Sequence, residues 1–224
     1  MVKLVFLCRR RPELTHERYV ERLLDGHVPL ALRHHPTLRR YVVNVVEAAR
    51  GPAPALDSIG ELWFDSLADY RERLYDSIEG ARIIARDVTA FLGAADAYVT
   101  TEYVQRTPPT APPTRVRTPG DKLFACLLRV PALTRAEFET HWRERHAPLA
   151  LRHHHTTRYV TNVIDHRLGG GPDYDGFAEL SFPPGEMQRH MYLTPEGQKE
   201  IEADIPRFIG TAHAYVVSEY VQRW

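Results

Sequence analysis

Cysteine and methionine are scarce in this 224-residue chain, with two of the first and three of the second. Two cysteines allow one disulfide at most, and buried free thiols are the expected reading. An excess of charge of either sign is also missing: 29 basic residues balance 29 acidic ones, interspersed along the sequence. That balance argues against nucleic acid and anionic lipid as partners. The one basic run, Arg9-Arg10-Arg11, reads as a solvated strand end. No apolar run approaches the ~18 residues that span a bilayer, and no charged-then-apolar signal segment follows Met1, so no membrane partner and a cytoplasmic location are expected. A phosphate loop, a dinucleotide fingerprint and a nucleophile elbow are missing too, which argues against kinases, Rossmann oxidoreductases and serine hydrolases.

What the chain does have is a repeat. Thr15, His27, Pro29 and the run Leu30-Ala31-Leu32-Arg33-His34-His35 return as Thr134, His146, Pro148 and Leu149-Ala150-Leu151-Arg152-His153-His154. Tyr41 and Asn44 return as Tyr159 and Asn162, and Glu102-Tyr103-Val104-Gln105-Arg106 returns as Glu219-Tyr220-Val221-Gln222-Arg223. A unit of this length is a small domain and not a solenoid repeat. The division expected is repeat 1 over residues 1–106, a proline-rich linker over 107–120 that favours extended polyproline II, and repeat 2 over 121–224. Cys8 and Cys126 are read as sitting at equivalent places on the first strand of each repeat, buried and free, with a disulfide as the other possibility.

Each repeat reads as βαββαβ. Short apolar strands are expected at 2–8 and 122–128, and helices at Thr15 and Thr134, where Glu137 completes a capping box. Further strands are expected at 41–46 and 159–164, 58–64 and 176–182, and 97–104 and 214–221, with a second helix over about 79–92 and 197–209. The class is α+β: two ferredoxin-like units, each an antiparallel sheet with both helices on one face. The other face, taken as apolar, is expected to be buried against its twin as an intramolecular dimeric α/β barrel, either monomeric or assembled into a further homo-oligomer.

A helix carrying Phe138, Trp142, His146, Pro148 and Leu149, followed by Tyr159 and Asn162 on the next strand, resembles the EthD family of the dimeric α/β-barrel superfamily. The resemblance covers nearly all of both repeats. It implies cofactor-free oxygenation, polyketide cyclisation or dehydration, small-molecule lyase chemistry, or haem-dependent catalysis. Repeat 1 keeps His27, Pro29, Leu30, Tyr41 and Asn44 but carries Tyr19 for the Phe and Leu23 for the Trp.

His146 is the leading catalytic candidate, since imidazole titrates near neutrality and Pro148 places it near a helix C-terminus that would stabilise its protonated form. The bland alternative is a capping His. Asn162, in an apolar strand, either orients a ligand or tethers a loop, and is placed on the helix side of its sheet, opposite Tyr159. His27 and Asn44 repeat these roles in the first copy. Glu61 and Glu179 are either acid/base partners of a His or charges paired with an Arg, and Trp63 shares the face of Glu61. Glu102 and Glu219 are expected to pair with Arg106 and Arg223. The His34-His35 and His153-His154-His155 runs are placed on a solvated face near a pocket mouth, and no metal is expected because adjacent histidines diverge. Arg152 could hold an acidic group of a substrate; Tyr75 and Tyr192 either line the pocket or staple the second helix. The sum is a cofactor-independent enzyme for a hydrophobic aromatic or polyketide-like molecule, acting by dehydration, cyclisation, isomerisation or oxygenation from an apolar pocket in repeat 2. The rivals are a haem-binding enzyme and a non-catalytic binding module.

Overall fold

A computed structural model describes all 224 residues. Repeat 1 contributes β1 (Val2–Arg10), α1 (His16–Glu21), a π-helical turn (Arg22–His27), α2 (Val28–His34), β2 (Arg40–Arg50), β3 (Ser58–Phe64), α3 (Leu67–Glu72), α4 (Ile78–Phe91) and β4 (Leu92–Arg106). Repeat 2 follows with β5 (Asp121–Arg129), α5 (Arg135–His141), a second π turn (Trp142–His146), α6 (Ala147–His153), β6 (Arg158–Arg167), β7 (Gly176–Phe182), α7 (Glu186–Arg189), α8 (Pro195–Asp204) and β8 (Ile209–Arg223). The fold is α+β, and its eight strands close into one antiparallel barrel in the order β1-β3-β2-β8-β5-β7-β6-β4. Pairing of β2 with β8 and of β4 with β6 joins the halves, so no sheet edge is left along the seams. The closing strands are long enough to do this because β4 and β8 run for 15 residues each, well beyond the 97–104 and 214–221 cores read from the sequence.

The first helix of each repeat starts where expected. Thr15 accepts from the Arg18 amide, and Thr134 forms a full capping box with Glu137. It does not end at the proline. The chain widens into a π turn, in which the Ala147 amide reaches back to Trp142 and the Val28 amide to Leu23, so Pro29 and Pro148 fall in the first turn of a new α-segment. There a missing N–H costs nothing. His146 is therefore inside a continuous helical run and not at a C-terminus, which removes the dipole argument for its protonation.

Side chains alternate along the strands, and the inward set closes the barrel. One end of the interior is apolar, with Val5, Leu7, Ile59, Tyr98, Phe124, Phe177 and Tyr215 in one cluster. The other end is not apolar, contrary to expectation, because the same alternation brings Lys3 and Lys122 inward two residues before Val5 and Phe124. The cysteines are not equivalent either. Cys8 faces the helices and Cys126 the barrel interior, one residue out of register and hence on opposite faces; both are free thiols. The linker docks on β8, with the Arg115 and Thr118 amides donating to the Val221 and Glu219 carbonyls at 2.7 Å. No helix is long and apolar enough to cross a membrane.

Candidate active site

Polar candidates divide between two places that do not communicate. Asn44, Asn162, Glu61, Glu179 and Trp63 lie in the barrel interior, not beside the helices. Asn162 donates to the Phe177 carbonyl at 3.1 Å and to Glu179 at 2.9 Å; Asn44 donates to the Ile59 carbonyl at 3.2 Å and to Glu61 at 2.6 Å. Lys3 Nζ sits 2.5 Å from Glu61, 2.7 Å from Glu179 and 3.0 Å from Glu102, and its ammonium lies over the Trp63 ring. Lys122 Nζ sits 3.1 Å from Glu61, 2.8 Å from Glu179 and 2.7 Å from Glu219, which Arg158 also contacts. Burial alone would discharge both lysines, but the carboxylates outweigh it and hold them charged; the lysines in turn hold Glu179 well below the usual carboxylate range. Each lysine touches a carboxylate of the other half, so this layer ties the repeats together. The carboxylates are held mainly by the two lysines, with an arginine added in repeat 2, where Arg158 contacts Glu219 at 3.1 Å and Glu179 at 3.9 Å; neither Arg106 nor Arg223 is among the partners. Arg106 and Arg223 instead donate to backbone carbonyls, of Leu151 and Thr156 and of Leu32 and Leu38. Glu61, Glu179 and Glu219 are close enough to share an ion, yet the Lys122 ammonium already lies within 3.1 Å of all three.

On the helix side each repeat holds a His–Asp pair. His27 Nδ1 lies 2.9 Å from Asp87 of α4, and His146 Nδ1 lies 3.0 Å from Asp204 of α8. Asp204 also takes His141 Nε2 at 3.0 Å, where repeat 1 has Arg22 beside Asp87. The aspartates were missed in the sequence, although Asp-x3-Phe-x-Gly recurs as Asp87, Phe91, Gly93 and Asp204, Phe208, Gly210. With Nδ1 donating to a carboxylate, the imidazole is fixed in the tautomer that leaves Nε2 free.

The pair of repeat 1 faces the main apolar cavity of the molecule. A space of about 230 Å³ opens between the sheet and α1, α2 and α4, with His27, His35, Ser58, Cys8 and four tyrosines (Tyr19, Tyr41, Tyr70 and Tyr75) as its polar lining and apolar side chains elsewhere. No Lys, Arg, Asp or Glu lines it. The His34-His35 run is buried, not solvated, and His35 donates from Nδ1 to the Leu74 carbonyl, 3.1 Å away. Burial lowers its pKa to about 4, so at neutral pH His35 is uncharged with Nε2 as an acceptor. Burial also pushes the Cys8 thiol up to about 12. Tyr75 packs on the His35 ring at 5.3 Å and lies at the cavity mouth, 40% exposed.

In repeat 2 the corresponding space is filled. Trp142 stands where repeat 1 has Leu23, packs on Phe138 at 5.4 Å, and donates from its indole N–H to Tyr159 Oη at 3.1 Å. His146 packs against Phe208, and its burial lowers its pKa against the opposing pull of Asp204. Arg152 is exposed on the outer face of α6, and Tyr192 stacks on His154 at 4.8 Å. The expected pocket beside His146 is thus closed by the aromatic residues that completed the motif.

Comparison with known proteins accords with this architecture. The EthD domain model matches twice, over residues 11–95 and 130–212. The chain belongs to the EthD family. Among solved structures it resembles an anthrone oxidase-like protein, at TM-score 0.63 and 9% identity over 98% of this chain and 92% of that one. A protein from Fusobacterium nucleatum provisionally described as a monooxygenase superposes at TM-score 0.62 and 5% identity, over 99% and 94%. A mutant chlorite dismutase from Candidatus Nitrospira defluvii gives TM-score 0.50 and 11% identity, over 97% and 91%. At such identities the likeness is one of fold. No curated protein sequence matches.

Proposed function

We propose that this EthD protein is an enzyme that removes a proton from an uncharged, largely apolar small molecule bound in the cavity of repeat 1, with His27 as the general base. The observation that carries the reading is the His27–Asp87 pair at the wall of a cavity that no lysine, arginine, aspartate or glutamate lines. Asp87 fixes the ring and would stabilise the imidazolium formed when Nε2 takes the proton, and the apolar wall keeps the resulting anion from bulk water. His35 offers a second, neutral acceptor. Loss of water, ring closure, isomerisation or reaction with dioxygen can follow from such an anion, and the oxidase and monooxygenase descriptions of the structural neighbours favour the last. Asn162 and Glu179, held in the barrel interior, have no part in this reading, and His146 serves packing.

Haem, which the superfamily resemblance brings into question, does not fit the residues present. The cavity is smaller than the ~300 Å³ at which drug-sized ligands begin to fit, and no arginine or lysine lines it to receive propionates. The test is proton exchange in heavy water on 2-naphthol and 2-tetralone, read by mass spectrometry with dioxygen uptake followed in parallel. His27→Ala is expected to slow exchange by about 10²-fold or more, and His146→Ala to leave it within about twofold. Exchange by His27→Ala at the wild-type rate would overturn the proposal.

A further inference from the structure

Repeat 2 contains, in its own chain, an occupant of the site that repeat 1 leaves open. Leu23 and Trp142 hold the same place in the two π turns, each accepting from the first amide of the following helix, that of Val28 or Ala147. The wall opposite differs to match. Tyr41 of repeat 1 corresponds to Tyr159, and Ser58 to Gly176. In repeat 2 the Tyr159 hydroxyl takes the indole N–H, and the bare α-carbon of Gly176 lets the six-membered ring lie against the strand, since a Cβ there would come 2.4 Å from Trp142 Cζ3. In repeat 1 the Tyr41 hydroxyl, on a residue 4% exposed, lines the cavity and has no protein partner, while the Tyr19 and Ser58 hydroxyls satisfy each other at 2.7 Å. A hydroxyl that opens on the cavity without a protein partner, in the position where its twin holds an aromatic N–H, marks where a ligand's polar group goes.

We propose that the repeat 1 cavity takes a planar, uncharged aromatic molecule of about two fused rings bearing a ring N–H or O–H, seated as the Trp142 indole is in repeat 2 and donating to Tyr41 Oη. The inference rests on reading this cavity as the ligand site. The size agrees, since an apolar cavity of ~150 Å³ holds one benzene ring and this one is about 230 Å³. The absence of any lysine or arginine from the lining sets the charge: a carboxylate entering here would be desolvated with no cation to meet it.

Isothermal titration of the full chain with defined probes tests this. One equivalent of 2-naphthol or indole is expected to bind, naphthalene and 2-methoxynaphthalene about tenfold more weakly, and 2-naphthoate not measurably. Tyr41→Phe should erase the tenfold preference and keep naphthalene binding. Copying repeat 2 into repeat 1 with Tyr19→Phe, Leu23→Trp and Ser58→Gly should abolish binding, and Trp142→Leu should open a second site and raise the stoichiometry to two. Wild-type protein that binds naphthalene as tightly as 2-naphthol, a preference that survives Tyr41→Phe, or a folded Trp142→Leu protein that still binds one equivalent would each overturn the inference. These readouts are independent of turnover: binding as described together with exchange insensitive to His27→Ala would remove the proposed base and leave the ligand assignment standing.

Discussion

Repeat 1 and repeat 2 share the same order of strands and helices, the same π turn and the same His–Asp pair, yet only repeat 1 leaves room beside its imidazole. The difference comes down to a few side chains. Leu23, Tyr19 and Ser58 against Trp142, Phe138 and Gly176 decide whether the space between sheet and helices is a cavity or a core. Duplication thus separates two demands that conflict in a single domain. A filled copy contributes packing, and an open copy can forgo it, because the charged layer in the barrel interior ties each half to the other.

The largest effect should come from breaking that layer, and it should be unequal between mirror positions. Glu219 contacts both Lys122 and Arg158 and is 6% exposed; Glu102 contacts Lys3 alone and is 17% exposed. Glu219→Gln leaves two buried cations short of a partner and is expected to cost roughly 3–5 kcal/mol, whereas Glu102→Gln should cost about 1 kcal/mol or less. Urea midpoints of the two variants check this, and equal losses would mean that the layer does not distinguish the halves. A smaller asymmetry is expected at the wall of the sites. Gly176→Ser installs the repeat 1 residue against Trp142 and should cost roughly 1–3 kcal/mol through overpacking. Ser58→Gly removes only the partner of the Tyr19 hydroxyl, beside space that water can enter, and should cost about 1 kcal/mol.

Much of this comparison was legible in the sequence, and the misreadings have physical causes. The duplication, the capping box at Thr134 and the βαββαβ order follow from local pattern, and local pattern formed them. Asn162 lies on the face opposite to the one expected because alternation gives relative sides only; Val160, Asn162 and Ile164 do share a face, but nothing local says that it is the barrel interior. Lys3 and Lys122 passed unnoticed as strand starts, since the carboxylates that hold them charged lie on other strands, some of them in the other repeat. The helix runs on past Pro148, where the proline predicts an end, because the π turn that accommodates it has no local sequence signature. Completeness of the Phe-Trp-His motif points to repeat 2, whereas the space beside the imidazole lies in repeat 1, because Trp142 itself fills the corresponding place.

The smallest effect expected is one that the repeats should share. His35 and His154 hold corresponding places, each donates from Nδ1 to a backbone carbonyl, of Leu74 or Met191, and burial lowers each pKa from 6.5 to about 4. Between those values the unfolded chain binds a proton at each site that the folded protein refuses, so stability is full above pH 6.5 and falls as the pH drops toward 4. At pH 5.5 the loss amounts to about 1 kcal/mol for each histidine. His35→Gln and His154→Gln should each flatten the decline in unfolding free energy between pH 7 and pH 5 by a similar amount, and the double variant by the sum, since the two sites lie in different repeats. Saturating 2-naphthol should then separate them. A ligand seated beside neutral His35 adds to the cost of protonating it, so below about pH 4.5, where folded His35 itself begins to titrate, the acid decline should steepen in the wild type and in His154→Gln but not in His35→Gln. A ligand effect that persists in His35→Gln would show that the cavity and His35 are not coupled, and the two repeats would then differ in volume alone.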